Sequence, residues 1–188
     1  MSEEYYPWGG EFTACNSKSS VAVVQLNTEY VPTGEVAIYG PLKTENIGIE
    51  KIVANTISNP HIRYIIIIGE EIRGHRSGRS LLALNKNGID ENNKIIDAPG
   101  AIPYIENLKC EAIERFQSQI KIIDLIDVKD NKKIEQTINK YLKEKTEIYG
   151  TPYIAIRIKP EKTILEDKRA LHSKIVVDYM GKIKKRGE

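Results

Sequence analysis

The chain has 188 residues, of which 40% are hydrophobic and 29% charged, a balance typical of one globular domain with a sizeable core. Its formal net charge of +2 is too small to predict nucleic-acid binding, and the basic run over 182–186 is expected to be a solvated tail. No segment approaches the ~20 apolar residues that cross a bilayer, and the acidic N-terminus is unlike a signal peptide, so we expect a soluble, cytoplasmic protein.

Apolar runs and helically spaced apolar residues alternate along the chain. In chain order they predict an irregular arm over 1–19, strands over 20–26 and 36–39, a helix over 44–59, a strand over 63–68, helices over 77–87 and 109–119, a strand over 121–128, a helix over 131–145, and strands over 153–159 and 175–179. The isoleucines at 65–68 predict a buried central strand, whereas the alternation over 153–159 predicts an edge strand.

This alternation of strands and helices predicts the fold class. A single α/β domain over 1–188, with three layers around a mostly parallel sheet, fits the order of elements best. The arm over 1–19 and a basic tail over 180–188 flank its core. Thr44 and Ser77 are expected to cap the helices that follow them, because their hydroxyl groups can accept hydrogen bonds from free amides of the first turn.

His75 is the first candidate functional residue. It follows the isoleucine strand in the segment GEEIRGHRSG, in a position where ligands bind at open parallel sheets. The glycines of this loop permit close approach of a ligand, its serine begins a helix, and its carboxylates could orient an imidazole. The loop candidates are Gly69, Glu70, Glu71, Gly74, His75, Ser77 and Gly78. The residues alone leave open whether the histidine holds a metal, moves a proton or binds a phosphate.

Two further segments are candidates for the same site. The loop over 97–103 is small and apolar, which suits contact with a large ring system, but it could equally be a tight connection. Thr44, Glu45 and Asn46 could contribute polar groups or merely cap a helix. The loop candidates are Pro99, Gly100, Ala101, Ile102 and Pro103.

Several other kinds of site lack support. His61 follows an Asn-Pro turn and His172 lies in a charged segment, so both are expected to be structural. Cys15 and Cys110 lie far apart without zinc spacing and are expected to be free thiols. The chain contains no GxGxxG, GxxxxGK[ST] or GxSxG motif, which argues against dinucleotide, P-loop and serine-hydrolase chemistry.

The candidate segments lie within a block that resembles a known family. The strings TENIGIEK, GEE-x-x-GH-x-SG-x-SLLAL-x-x-NGID and GAIP-x-IEN, followed by ERFQSQIKIIDLIDV, are similar to the A subunit of tetrahydromethanopterin S-methyltransferase. In that family this is the corrinoid-carrying component of a sodium-pumping complex of methanogenic archaea. The similarity covers roughly residues 20–130.

The resemblance implies a Rossmann-like fold, a cofactor and a role for His75. The cofactor would be a cobalamin-type corrinoid, in methanogens the 5-hydroxybenzimidazolyl cobamide. Its cobalt would take a methyl group from methyl-tetrahydromethanopterin and pass it to coenzyme M, with His75 as the lower axial cobalt ligand. The implied partners are other methyltransferase subunits, or proteins that donate and accept the methyl group.

The chain departs from the expected pattern at two places. Many corrinoid proteins carry the histidine in a DxHxxG motif, but here Arg73 replaces the aspartate, so Glu45, Glu70 or Glu71 must orient His75 if any carboxylate does. Membrane-bound members of the family end in a transmembrane helix, whereas this chain ends in a basic tail. The resemblance therefore implies a soluble homologue, with a truncated form as the alternative.

Three functional hypotheses follow from the sequence. The first is a methyl carrier in which the corrinoid supplies the chemistry and the protein supplies binding, orientation and tuning. The second is a corrinoid storage or chaperone module without turnover of its own. The third is an α/β domain that has lost its cofactor and serves only as an interaction partner.

Overall fold

The structure, a computed structural model, describes residues 5–156, 175–177 and 183–185. The chain divides into two compact units, Met1–Arg157 and Ile158–Glu188. The first unit contains, in order, β1 (Thr13–Ala14), β2 (Val21–Gln25), β3 (Ile38–Pro41), α1 (Ile47–Ser58), β4 (Tyr64–Gly69), α2 (Ser77–Asn87), α3 (Cys110–Gln119), β5 (Lys121–Ile126) and α4 (Asn131–Lys143). The second contains an antiparallel pair, β6 (Ile175–Val177) and β7 (Ile183–Lys185).

The five strands of the first unit form one sheet in the order β1-β3-β2-β4-β5. All pairs are parallel except β1 with β3, which confirms the predicted α/β class with a mostly parallel sheet. The strand β4 is paired on both sides, as its run of isoleucines predicts. Because β3 and β4 flank β2 and both run parallel to it, the loops that follow those two strands emerge at the same end of the sheet.

Apolar side chains alternate between two clusters on the faces of the sheet. Ile65 and Ile67 of β4 pack with α1, α2 and α3, whereas Ile66 and Ile68 pack with α4. All four isoleucines are fully buried, and each contributes about 1.5–3 kcal/mol relative to an exposed side chain. The central strands are therefore a rigid base for the loops at their ends.

One predicted helix cap is confirmed in part, because Thr44 bonds the first turn of α1 without being its N-cap residue, and the other is wrong. The N-cap of α1 is Asn46, whose side chain accepts from the amide of Ile47, while Thr44 accepts from the amide of Gly48 four residues later. The N-cap of α2 is Arg76, in the left-handed conformation at φ 45°, and no side chain of the cap residue bonds the helix. Ser77 instead lies inside the first turn of α2, where a cap is not possible.

The ends of the chain also differ from the prediction. The arm contains the two-residue strand β1, because Thr13 and Ala14 pair with the exposed side of β3. The described part of the predicted edge strand, residues 153–156, is not a strand; the amide of Tyr153 donates to Ile57 of α1 instead. Some predicted features lie outside the described residues. They are residues 1–4 of the arm, residues 157–159 of the predicted edge strand, His172 and most of the predicted tail. Within the described part, no helix is long and apolar enough to cross a membrane.

Candidate functional site

The candidate site lies at the carboxyl ends of β3 and β4, where parallel sheets bind their ligands. The loop after β3 leads to Glu45, and the loop after β4 leads to His75. These two side chains meet: Nδ1 of His75 is 3.1 Å from Oε2 of Glu45. The two residues are 30 positions apart in sequence, so the contact depends on the order of the strands in the sheet.

His75 is poised to bind a ligand with its outer nitrogen. Its side chain is 54% exposed, whereas that of Glu45 is 5% exposed, so the imidazole rests on a buried carboxylate and faces solvent. The carboxylate favours a proton on Nδ1, which leaves the lone pair of Nε2 available in the neutral ring. Histidines that ligate metals are held in this way by a carboxylate on the second nitrogen.

The other two candidate carboxylates have different partners. Glu70 lies 2.8 Å from the amine of Lys129, on the side of the loop that faces the end of β5. Glu71 accepts a hydrogen bond of 2.7 Å from the amide of Arg79, and so caps α2 in place of a side chain at Arg76. Glu45 is therefore the carboxylate that orients His75.

The loop over 97–103 is attached to the same carboxylate. Oε1 of Glu45 accepts from the amide of Ile102 at 3.1 Å, while Oε2 contacts His75. Further along, the buried carboxylate of Glu50 accepts from the amides of Glu106 and Asn107. Glu45, just before α1, thus holds the loop over 97–103 beside His75, and Glu50, in the first turn of α1, holds the segment that follows this loop against the helix.

Gly100 is required by packing within the site. A Cβ atom at Gly100 would lie 2.8 Å from Oγ of Ser80, 2.9 Å from Cγ of Glu45 and 2.9 Å from the carbonyl oxygen of His75. All three distances are shorter than real Cβ atoms tolerate. Pro99, Ala101 and Ile102 are exposed beside it, whereas Pro103 is buried.

The three glycines of the His75 loop have distinct roles. Gly69 has φ +94°, and a Cβ there would lie 2.9 Å from the side chain of Thr28. Gly74 has φ +92° and faces open space. Gly78 lies inside α2, where a Cβ would meet Leu26 at 2.8 Å. Gly78 therefore serves the packing of α2 against the end of β2, while Gly69 and Gly74 shape the turn.

Exposed isoleucines flank the histidine. Ile47 begins α1 two residues after Glu45. The carbonyl oxygen of Ile72 accepts a hydrogen bond from the amide of His75, and the amide of Ile102 donates to Glu45. Their exposed fractions are 47%, 48% and 59%. Exposed apolar residues close to a polar group along the backbone are typical of ligand sites. Sequence reasoning included only Ile102 among them, since an isoleucine outside a periodic pattern gives no signal of exposure.

Among the described residues, no three or more histidine, cysteine or carboxylate side chains lie close enough together to hold a metal ion. The Glu45–His75 contact offers one imidazole as a possible ligand. His61 lies in the turn after α1, where its amide bonds Asn59, so it takes no part in the site. Cys15 and Cys110 are free, as predicted, and both are exposed.

The charge of Glu45 depends on its hydrogen bonds. Burial raises the pKa of this carboxyl group, but the amides of Glu45 and Ile102 and the His75 side chain outweigh that effect, so its pKa lies below its usual value. A lowered pKa means that the ionised carboxylate stabilises the folded chain at all pH values above the pKa of the unfolded state. That stability is lost as the pH falls through the lower folded value.

We therefore expect Glu45→Gln to destabilise the protein at neutral pH, by about 1–2 kcal/mol, because the amide forms weaker hydrogen bonds. The difference from the original protein should shrink below about pH 4, where glutamate side chains become protonated. Urea unfolding at a series of pH values measures it. A difference that stays constant from pH 7 to pH 3 would contradict the assigned charge.

Comparison with known proteins gives a consistent result. The family model that describes the A subunit of tetrahydromethanopterin S-methyltransferase, MtrA, matches residues 1–166.

Three relatives are similar to this chain over most of its length. A Methanosarcina barkeri protein, provisionally named the A subunit of methyltransferase Mtx, is 46% identical over 148 residues, which are 78% of this chain and 75% of that protein. The A subunit of the tetrahydromethanopterin S-methyltransferase of Methanosphaera stadtmanae is 51% identical over 135 residues, 69% of this chain and 54% of the relative. The A 2 subunit of the Methanothermobacter marburgensis enzyme is 47% identical over 134 residues, 69% of this chain and 72% of the relative.

Proposed function

We propose that this chain, which belongs to the MtrA family of tetrahydromethanopterin S-methyltransferase subunits, binds a corrinoid at the Glu45–His75 site and carries methyl groups on it. The relatives bear names of methyltransferase subunits, which supports a role as a methyltransferase component. The observation that carries the proposal is the contact of 3.1 Å between Glu45 and Nδ1 of an exposed His75.

The residues at the site fit the proposed cofactor. A corrinoid would bring a cobalt ion together with most of its ligands, so that the single imidazole of His75 would suffice to hold it. When bound, it supplies a metal centre that accepts and releases a methyl group. Ile47, Ile72 and Ile102 offer apolar contact to a wide ring, and Gly74 leaves space beside the histidine.

The protein's own contribution is to hold and tune the imidazole. In the proposed complex, Nε2 of His75 would hold the cobalt, while Glu45 would keep the proton on Nδ1 and make the ring more basic. Because Glu45 is 5% exposed, little water competes for that proton. The amide of Ile102 holds the second carboxylate oxygen and so restricts rotation of the whole group.

We also propose the finer fold, the location and the partners of the chain. It includes a Rossmann-like three-layer arrangement, a cytoplasmic location and docking of partner methyltransferase subunits. The helix clusters on both faces of the sheet support the first of these. The family name supports the third, because one subunit implies others.

A transfer assay tests the carrier role. The chain loaded with hydroxocobalamin is reduced and mixed with labelled methyl-tetrahydromethanopterin, coenzyme M and purified partner subunits of a methanogen. We expect methylated coenzyme M to form at a rate that depends on the loaded chain and falls sharply with His75→Ala. Tight corrinoid binding without transfer would instead favour a storage module, and no corrinoid binding would favour a domain that acts only as an interaction partner.

A further inference from the structure

A cavity of about 240 Å³ lies beneath the N-terminal arm, between α1 and the strands β2 and β3. Glu45, His75 and the loop over 97–103 do not border it, whereas Ile47, at the beginning of α1, borders both the cavity and the Glu45–His75 site. We call it the arm cavity. It is larger than the ~150 Å³ cavity that holds benzene in an engineered protein, and below the ~300–1,000 Å³ of sites for drug-sized ligands. Its size therefore suits a molecule of one or two rings.

The interior of the arm cavity offers mainly apolar contacts. Ala22, Val24 and Ile38 come from the strands, and the polar side chains beside them are already hydrogen-bonded. Asn55 accepts from the amide of Trp8 and donates to its carbonyl oxygen, at 2.9 Å and 2.8 Å. The hydroxyl of Thr56 donates to the carbonyl oxygen of Ile52 at 2.7 Å. A ligand inside would find few free hydrogen-bond partners and must be mostly apolar.

The opening of the arm cavity is basic. Lys43 and Lys51 line it together with Glu11. The amine of Lys43 lies 2.6 Å from Glu11, and both side chains are largely exposed, so this pair lies at the rim. Two ammonium groups against one carboxylate leave an excess of one positive charge at the entrance. A ligand with an anionic end would be attracted to it.

The arm that covers the cavity is held at defined points. The amide of Tyr6 donates to Ser58, and Trp8 is bonded twice to Asn55. Gly40 allows the arm to cross β3 closely, because a Cβ there would lie 2.7 Å from the carbonyl oxygen of Glu11. Phe12 thus lies over the cavity and offers an aromatic wall.

We propose that the arm cavity is a second ligand site, which takes a small aromatic carboxylate with its rings against Ala22, Val24 and Phe12 and its carboxylate at Lys51. It is distinct from the corrinoid site, because neither Glu45 nor His75 lines it, although Ile47 borders both.

Isothermal titration with 2-naphthoate tests this second site. We expect saturable binding of one naphthoate molecule per chain. The original protein should bind the uncharged 2-naphthamide at least about fivefold more weakly, and the Lys51→Met protein should bind naphthoate more weakly by the same factor, because the loss is on the scale of an exposed charge pair. Ala22→Leu should weaken it by about tenfold or more because leucine fills the cavity. Lys86→Met, an exposed lysine on α2, is the matched control and should bind like the original.

Three results would overturn the second site. The first is no saturable binding at millimolar naphthoate. The second is that the Lys51→Met protein binds naphthoate, and the original protein binds the amide, as tightly as the original protein binds naphthoate. This result can be obtained even if the Ala22→Leu variant does not fold. The third is displacement of naphthoate by hydroxocobalamin, which would make the cavity a part of the corrinoid site. Retained naphthoate binding in the His75→Ala protein supports the separation of the two sites.

Discussion

The His75→Ala protein is expected to bind hydroxocobalamin about 100-fold more weakly than the original, a loss of ~2.7 kcal/mol. The reason is that the variant loses the ligand at cobalt and leaves the buried carboxylate of Glu45 without the imidazole that it contacts at 3.1 Å. The absorption spectrum of the bound Co(III) form should also change, because the His75 imidazole would no longer hold the cobalt. Equilibrium dialysis and spectra of the same samples measure both effects.

His61→Ala is the matched control for this experiment. His61 lies in the turn after α1, distant in the fold from the end of β4, and should change neither affinity nor spectrum. The ligand assignment fails if the His75→Ala protein retains both the affinity and the spectrum of the original. It also fails if the two histidine variants lose the same amount.

Gly100→Leu is expected to disrupt the site from within. A Cβ atom at this position meets Ser80, Glu45 and the backbone of His75. The carbonyl oxygen of His75 cannot move without moving the loop that carries the His75 imidazole. Overpacking of this kind costs about 1–3 kcal/mol of folding stability. We expect that loss in urea unfolding, and a corrinoid affinity more than about tenfold lower, since the imidazole would no longer be held in position.

The same substitution in open space separates crowding from general effects of leucine. A Cβ at Gly9 would have no atom within 4 Å, so Gly9→Leu should leave stability and corrinoid binding unchanged. If Gly100→Leu folds and binds like the Gly9 variant, then the loop over 97–103 adapts without cost and does not position His75.

The strands and the position of His75 could be predicted from sequence because they depend on local patterns. Four adjacent isoleucines require burial on both faces, and the glycines after them require a loop at the carboxyl end of a strand. The helix over 77–87 was predicted with the bounds that α2 has. Its cap was not, because Glu71 reaches the amide of Arg79 across a turn whose shape depends on the left-handed Arg76.

The choice among the carboxylates could not be made from sequence. Glu70 and Glu71 are close to His75 in the chain, yet one pairs with Lys129 and the other caps α2. Glu45 reaches the ring because β3 and β4 flank β2, a consequence of strand order that local patterns do not encode. The sequence predicted that the loop over 97–103 suits contact with a large ring, but not that its Gly100 leaves room for Ser80 and Glu45, which are distant from it in the chain.

Equilibrium dialysis of the purified chain against hydroxocobalamin tests the proposed corrinoid site most directly. We predict saturable binding of about one corrinoid per chain. We also predict a bound-state spectrum that differs from that of the free cofactor and depends on His75 and on Glu45. The corrinoid site is contradicted if no saturable binding occurs, or if the bound cofactor keeps the spectrum of the free one.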